Sequence, residues 1–232
     1  MNKKEILIIL GTAHLATTPG KCSPDGRLKE YSYSRERVKA IACKLRAYGY
    51  NVAIDIEEDK LPKTMRTPSA KLEQSRELGL RANVVNQLCK QYTCIYVSVH
   101  VNAAGADGKW KNAGGWCAYT SVGNTKADVL AEHLYKAAEK NLKEYASLMG
   151  KGKATGGYSG NQVPIRMDRA DGDKDYESNF YVLAHTSCPA VLTENMFQDN
   201  KLDVDWLLSD AGMHAIERLH VEGILSYIES LK

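Results

Sequence analysis

Long apolar runs are missing from this 232-residue sequence. The longest near its start, Ile6 to Leu10, falls far short of the roughly 20 residues a membrane-spanning helix needs and of the apolar segment of a secretion signal. Neither an export signal nor a membrane segment is therefore expected. A large excess of one charge is missing too. The formal net charge is +3 and the isoelectric point near 8.4, too mild for a nucleic-acid binder but compatible with an anionic polymer as substrate. Closely spaced cysteine pairs are absent. Cys22, Cys43, Cys89, Cys94, Cys117 and Cys188 include no Cys-x-x-Cys, which excludes a compact thiolate zinc site or redox centre. In a chain of this length without a secretion signal, free thiols are expected rather than a disulfide framework. Internal repeats and low-complexity linkers are not found, so the chain reads as one good-sized domain. Its 44% of hydrophobic and 25% of charged residues are enough to build an ordinary globular core.

What is present is an alternation of strand and helix patterns. Glu5 to Leu10 reads as an interior strand, broken by Gly11-Thr12-Ala13-His14. Thr17-Thr18-Pro19-Gly20 and Ser23-Pro24-Asp25-Gly26 are turn material. From about Ser34, Val38, Ile41, Ala42, Leu45 and Tyr48 recur on one helical face as far as Gly49. Glu30 precedes this helix, at the close of the Pro-Asp-Gly loop. Asn51 to Ile56 reads as the second strand and completes a β-α-β start. Glu57 to Ala70, with Pro62 and Pro68, is irregular. Leu72 to Cys89 is helical, with Leu72, Leu78, Ala82, Val85 and Leu88 as core candidates. Ile95, Val97 and Val99 alternate as a strand that runs into His100 and Asn102. Gly115 to Tyr119 is a further strand, and Thr125 to about Leu142 a helix with Val129, Leu130, Leu134, Ala137 and Ala138 on its apolar stripe.

Residues 146–178 show no periodicity, and so long a stretch is expected to be a functional loop at the cleft. Pro189 to Glu194 is the last strand. Asp203 to Leu208 is a short helix. Asp210 to Leu231 is the closing helix, with Met213, Ile216, His220, Ile224, Tyr227 and Leu231 facing inward. The predicted fold is α/β, a single three-layer domain over 1–232. Its twisted, mostly parallel sheet has about five or six strands, with helices on both faces.

Four strand-end or loop positions hold groups able to coordinate or transfer protons: His14, Glu30, His100 and Glu194. A mostly parallel sheet gathers its strand ends at one edge. Two imidazoles and a carboxylate are the usual protein ligands of catalytic zinc, with a fourth position left open. A second carboxylate beside that position could carry a proton to a leaving group. Spacing does not fix which glutamate is ligand and which is base. Glu194 closes an apolar strand, where an unpaired carboxylate is costly to keep without a role. The remaining histidines read as ordinary: His133 and His214 as surface or half-buried helix residues, His220 as a hydrogen-bonded core residue. His185, just before the last strand, could reach the cleft. Lys151-Gly152-Lys153 is too short for a nucleic-acid patch, and Gly152 to Gly160 lacks the lysine and hydroxyl ending of a phosphate loop.

On these residues the sequence resembles the zinc-dependent N-acetylmuramoyl-L-alanine amidases, which cleave bacterial peptidoglycan. Ile8 to Gly20 is similar to the family's first strand and metal histidine. Gly26-Arg27-Leu28-Lys29-Glu30-Tyr31 is similar to the segment delivering the metal glutamate. Ser98-Val99-His100-Val101-Asn102-Ala103 resembles the second metal-histidine segment, and Pro189 to Asn200 the closing segment whose glutamate is the catalytic base. The resemblance implies one Zn2+ held by His14, Glu30 and His100. It also implies Glu194 as general base and then acid, and a metal-activated water attacking the lactyl carbonyl that joins N-acetylmuramic acid to L-alanine. Glu36 lies nearby, but Glu30 matches the family's helix register. Asn102, Asn195, Arg166 and Arg169 are expected to contact substrate, the arginines through stem-peptide carboxylates. The implied partner is peptidoglycan, with no nucleic acid, and the chain is expected to be a monomer. Without a signal it resembles phage or prophage lysins, made in the cytoplasm and released to the wall by a separate pore protein. Gly11-Thr12-Ala13-His14-Leu15-Ala16 departs from the aspartate and glycines common around the family's histidine, which alters the surroundings of that ligand. Two other readings remain: a catalytically inactive wall-binding protein of the same fold, and a zinc peptidase cutting within the stem. Under the leading reading, the strand ending at His100 lies between the one leading to His14 and the one carrying Glu194.

Overall fold

The computed structural model describes residues 3, 5–151, 162–168, 170 and 172–231. Its central strands are buried on both sides. In β1 (Ile6–Thr12) every residue is buried. Ile6, Ile8 and Leu10 face one core cluster, Leu7 and Ile9 the other. Unbroken apolar runs of this kind are what strands covered on both faces require. β2 (Asn51–Ile54), β3 (Thr93–Asn102) and β7 (Ala190–Phe197) complete the parallel part of the sheet. β4 (Gly114–Thr120) is antiparallel to β7, and β5 (Gln162–Ile165) and β6 (Tyr176–Glu177) pair with β4. The order is β2-β1-β3-β7-β4-β5, with β6 beside β4. α1 (Glu30–Ala47), α3 (Lys126–Asn141) and α7 (Asp210–Ser230) cover one face, α2 (Ala70–Leu88) and α5 (Tyr181–Ala184) the other. The expected three-layer α/β architecture is present, and β3 lies between β1 and β7. α4 (Lys143–Lys151), β5 and β6 give parts of the 146–178 stretch regular structure. Among the described residues no helix is long and apolar enough to cross a membrane.

The register delivers the site. Thr12 pairs with Val99, and His100 with Glu194. Beyond that pair Asn102 stands opposite Phe197, so β7 holds one residue more than β3. The irregularity contains Met196 at φ 62° and bends the strand end as a bulge does. Asp203, in α6 (Lys201–Leu207), pins the far side by accepting from Phe197 N at 2.9 Å and Gly115 N at 3.2 Å.

Several expectations need correction. α1 begins at Glu30, not near Ser34, so this carboxylate lies in the first helical turn, where the helix dipole favours it. Tyr48, Leu72, Val129 and Leu231 are exposed. Tyr48 and Leu231 cap helix C-termini beyond the sheet. Leu72 and Val129 are each one residue, about 100° of rotation, from the buried Glu73 and Leu130. The buried residues of α2 are Glu73, Glu77, Arg81, Ala82 and Val85: its inner face is charged over half its length.

Candidate metal centre

Each site residue is set by a different element. β1 ends at Thr12, and the chain turns at once: His14 has φ 41°, a left-handed conformation that costs an L-residue about 1–2 kcal/mol. The turn is tied to α1, where Ala13 N donates to Ser34 Oγ at 2.8 Å and Arg35 Nη1 donates to Ala13 O at 3.0 Å. Glu30 projects from the first turn of α1 and is 1% exposed. Its Oε1 accepts from Val101 N at 3.1 Å and lies 3.2 Å from His100 Nδ1. Its Oε2 lies 3.4 Å from His14 Nε2. The two imidazoles meet edge to face with centroids 5.2 Å apart. One donor atom from each of His14, Glu30 and His100 lies within 4.8 Å of the others. Tetrahedral coordination with bonds near 2.0 Å spaces its ligand atoms about 3.3 Å apart, close to the two histidine–glutamate separations, one at each Glu30 oxygen.

The donor chemistry fits a divalent cation. Glu30 Oε2 and Glu194 Oε2 are buried and have no hydrogen-bond partner among the described residues, a costly state unless something positive satisfies them. Burial is the main force on His14 and pushes its pKa down to about 3, against the pull of Glu30. The ring is neutral at ordinary pH with a lone pair to give, as ligation requires. Burial alone would raise the Glu30 carboxyl. The His100 hydrogen bond is the strongest of the influences that hold it below its usual value instead, and the Lys21 charge adds to it, so it is an anion. Ser98 Oγ stands 3.1 Å from His100 Nε2, an outer partner that leaves Nδ1 to face Glu30. Glu194 differs from Glu30. Burial first, then the Glu30 charge, raises its carboxyl well above the ordinary range. Two neighbouring carboxylates with opposite shifts suit a ligand and a proton carrier.

The other expected site residues divide. Asn195 is fully buried behind the site. Its Nδ2 donates to His100 O at 2.8 Å and its Oδ1 accepts from Trp116 Nε1 at 3.0 Å. It supports β3 and does not face substrate. Asn102 Oδ1 accepts from Ala103 N at 2.8 Å at the rim. Arg166, just past β5, lies over the Phe197 ring at 5.5 Å and donates to Gly114 O at 3.4 Å. Arg169 lies outside the described residues, as do residues 152–160. Glu36, with its side chain 63% exposed, points to solvent away from the cluster. His185 is exposed before the amino end of β7, stacked on Tyr181, at the sheet edge opposite the site. His220 is a core histidine, bonded to Thr193 Oγ1 and Ile216 O at 2.9 and 2.7 Å. Sequence reasoning passed over Lys21, whose Nζ is 3.9 Å from Glu30 Oε2, and Asp55 and Arg81 behind His14. Asp55 follows β2 as His14 follows β1, a positional signal that was there to be read. Beside the centre lies a cavity of about 410 Å³ lined by Lys21, Cys22, Ala103, Lys109 and Gln198 among others.

A doubly covered α/β sheet whose β1 and β3 ends bring two imidazoles to a buried glutamate of α1, with a second carboxylate in register, forms a candidate metal centre of the kind metal-dependent hydrolases use. The family model for N-acetylmuramoyl-L-alanine amidase matches residues 8–226. The chain belongs to that family. It is 28% identical over 155 residues to the N-acetylmuramoyl-L-alanine amidase CwlM of Bacillus licheniformis, covering 66% of this chain and 46% of the relative. To the endolysin of Bacillus phage SPP1 it is 29% identical over 141 residues, covering 60% and 41%. The chain thus aligns with less than half the length of these relatives. Among solved structures, the CwlD amidase from Clostridioides difficile in complex with the GerS lipoprotein superposes with a TM-score of 0.73 at 16% identity over 97% of this chain and 98% of that one. AmiC2 of Nostoc punctiforme gives 0.65 at 18% identity over 98% and 99%. At these identities the likeness is one of fold.

Proposed function

We propose that this chain hydrolyses the amide bond between N-acetylmuramic acid and the L-alanine of the peptidoglycan stem peptide, with one Zn2+ held by His14, Glu30 and His100. The observation that carries the reading is the half-buried Glu194 carboxylate, paired directly across from His100, whose enclosed Oε2 has no hydrogen-bond partner among the described residues. When bound, the zinc supplies a Lewis acid that lowers the pKa of water and withdraws charge from the scissile carbonyl. An ionised Glu194 would take one proton from the attacking water and return it to the amide nitrogen, so that the C–N bond breaks to a free amine and a lactyl carboxylic acid, which releases its remaining proton to solvent. Glu30, held by Val101 N, stays ionised through both transfers. Ser98 keeps the His100 ring in one orientation. Asn102 and Arg166, at the rim, are the substrate contacts in this reading.

Digestion of cell-wall sacculi tests the proposal. Free stem peptides and intact glycan strands are expected, with loss of the activity on chelation. New reducing ends would overturn it in favour of a glycosidase, and cut stem peptides in favour of a peptidase. The inactive wall-binding alternative drew on the altered surroundings of His14. The bonds that hold Ala13 to α1 speak for an ordered His14 turn despite those surroundings, and measured turnover on sacculi would overturn the inactive alternative. In this reading the protein acts as a monomer on the wall after release through a pore made by another protein. Sedimentation of the purified protein, and its retention in cells lacking a pore former, check those two points.

A further inference from the structure

The charged inner face of α2 has a destination. Arg81 is 3% exposed, and all five of its N–H donors have acceptors. Nε and Nη2 donate to Glu77 Oε1 at 3.0 and 2.8 Å. Nη1 donates to Asp55 Oδ2 at 2.6 Å and Thr12 Oγ1 at 3.1 Å. Nη2 also donates to His14 O at 3.3 Å. Asp55, just past β2 and 6% exposed, accepts at Oδ1 from Thr12 N at 2.9 Å and Ile56 N at 2.6 Å. Its Oδ2 takes a further bond from Tyr96 OH at 2.9 Å. Gly11 completes the arrangement by lacking a side chain: a Cβ there would sit 2.4 Å from Tyr96 Oη and 2.6 Å from Ser98 Oγ.

A buried ion cluster is weak evidence for stability, since well-packed apolar residues often do as well or better. This cluster spends its bonds on the backbone of residues 12 and 14, at the point where the chain enters the left-handed conformation of His14. The outer groups of metal sites act in this way, fixing the orientation of a ligand without touching the metal.

We propose that Asp55, Arg81 and Tyr96 form a positioning unit that holds the strand end at Thr12–His14 so that His14 Nε2 faces Glu30 before any metal arrives. The inference rests on the reading of His14 as a zinc ligand. The segment 11–16 contains no acidic residue, and the carboxylate that organises it comes from the end of β2. None of the three residues is assigned a substrate contact. Their loss acts on the metal and on the geometry of its site.

Zinc affinity, measured by competition with a chromophoric chelator on the full chain, provides the test, together with the visible spectrum of the cobalt-substituted protein. Asp55→Asn, which keeps the shape but replaces an acceptor by a donor, should weaken zinc binding 10- to 100-fold and shift the cobalt bands. Tyr96→Phe, which removes one hydroxyl, should do the same to a smaller extent. Excess zinc should restore much of the turnover of both. Glu194→Gln serves as a control with zinc affinity unchanged. If Asp55→Asn does not fold, Tyr96→Phe and Thr12→Val carry the test. Wild-type affinity and cobalt spectra in variants that merely melt earlier would overturn the proposal and leave the cluster a structural one. A wild-type chain that binds no zinc, or a His14→Ala variant that binds it undiminished, would instead sink the reading of the metal site itself.

Discussion

At the scale of single residues, similar side chains are separated by surroundings. Glu30 is buried and Glu194 is half-buried with its Oε2 enclosed, yet Glu30 lies among hydrogen-bond donors and beside Lys21 while Glu194 faces the Glu30 charge. Replacing Glu194 by Gln should therefore lower amidase turnover by at least about 100-fold, the usual worth of a positioned proton carrier, while zinc stays bound. Loss of zinc together with activity would make Glu194 a ligand. Asn195 presents the opposite case. Its amide joins Trp116 Nε1 to His100 O, and Asn195→Ala would strand both groups at about 1–3 kcal/mol each. The expected result is a melting temperature several degrees lower, with the Michaelis constant for wall fragments little changed. A raised Michaelis constant at full stability would return Asn195 to the substrate. The four positions that the fold gathers, His14, Glu30 and His100 with Glu194 in register, were legible because each closes a strand or a loop with a polar group out of keeping with its neighbours. Asn195 was misread because a strand-end position does not tell which way a side chain points past a bulge. Asp55 and Arg81 went unread because periodicity counts apolar residues, and α2 buries charge.

Elements show where a backbone has no latitude. Gly115 in β4 has φ 105°, and a Cβ there would stand 2.0 Å from Val163 O of β5. Gly115→Ala should cost about 3 kcal/mol or more through strain and a displaced strand. Gly20→Ala, at φ 73° but with nothing within 4 Å, should cost only about 1 kcal/mol. Equal denaturant midpoints for the two would refute the argument. α7 joins β7 through His220, whose two ring nitrogens bond Thr193 and Ile216. Burial lowers its pKa from 6.5 to about 4. Below pH 6.5 the unfolded chain takes up this proton and the folded one does not, so this contribution to stability is lost as pH falls from 6.5 to 4, by about 3 kcal/mol. Asp203, raised by burial to about 7, acts in the opposite sense, its contribution falling as pH rises toward 7. The difference between wild type and His220→Gln isolates the histidine. It should have the steeper wild-type slope between pH 4 and 6.5, and parallel slopes would show that His220 is not held neutral.

On the scale of the whole molecule, the parallel strands and β4 were readable, while β5 and β6 were not. β1, β3 and β7 announce themselves by apolar runs long enough to be buried on both faces. β5 and β6 are too short for any period, and β6 is two residues long. Which strands sit side by side was inferred from chemistry, since His14, His100 and the Glu194 carboxylate can meet at one site only if the ends of β1, β3 and β7 adjoin, as they do. That topology has a thermodynamic consequence. Donors at positions 14, 30 and 100 come together only in the folded chain, so a metal bound by all three binds the native state and scarcely the unfolded one. Such a ligand at 1,000 times its dissociation constant adds about 4 kcal/mol, and in a chain of this size each kcal/mol moves the melting point by about 2–4 °C. Removal of metal by a chelator should therefore lower the melting temperature by roughly 8–16 °C. His14→Ala should melt near the metal-free wild type and respond little to chelator. The shift should scale with the logarithm of free zinc, which separates it from an effect of the chelator itself. A wild-type melting temperature indifferent to chelator would mean that the three donors do not share an ion.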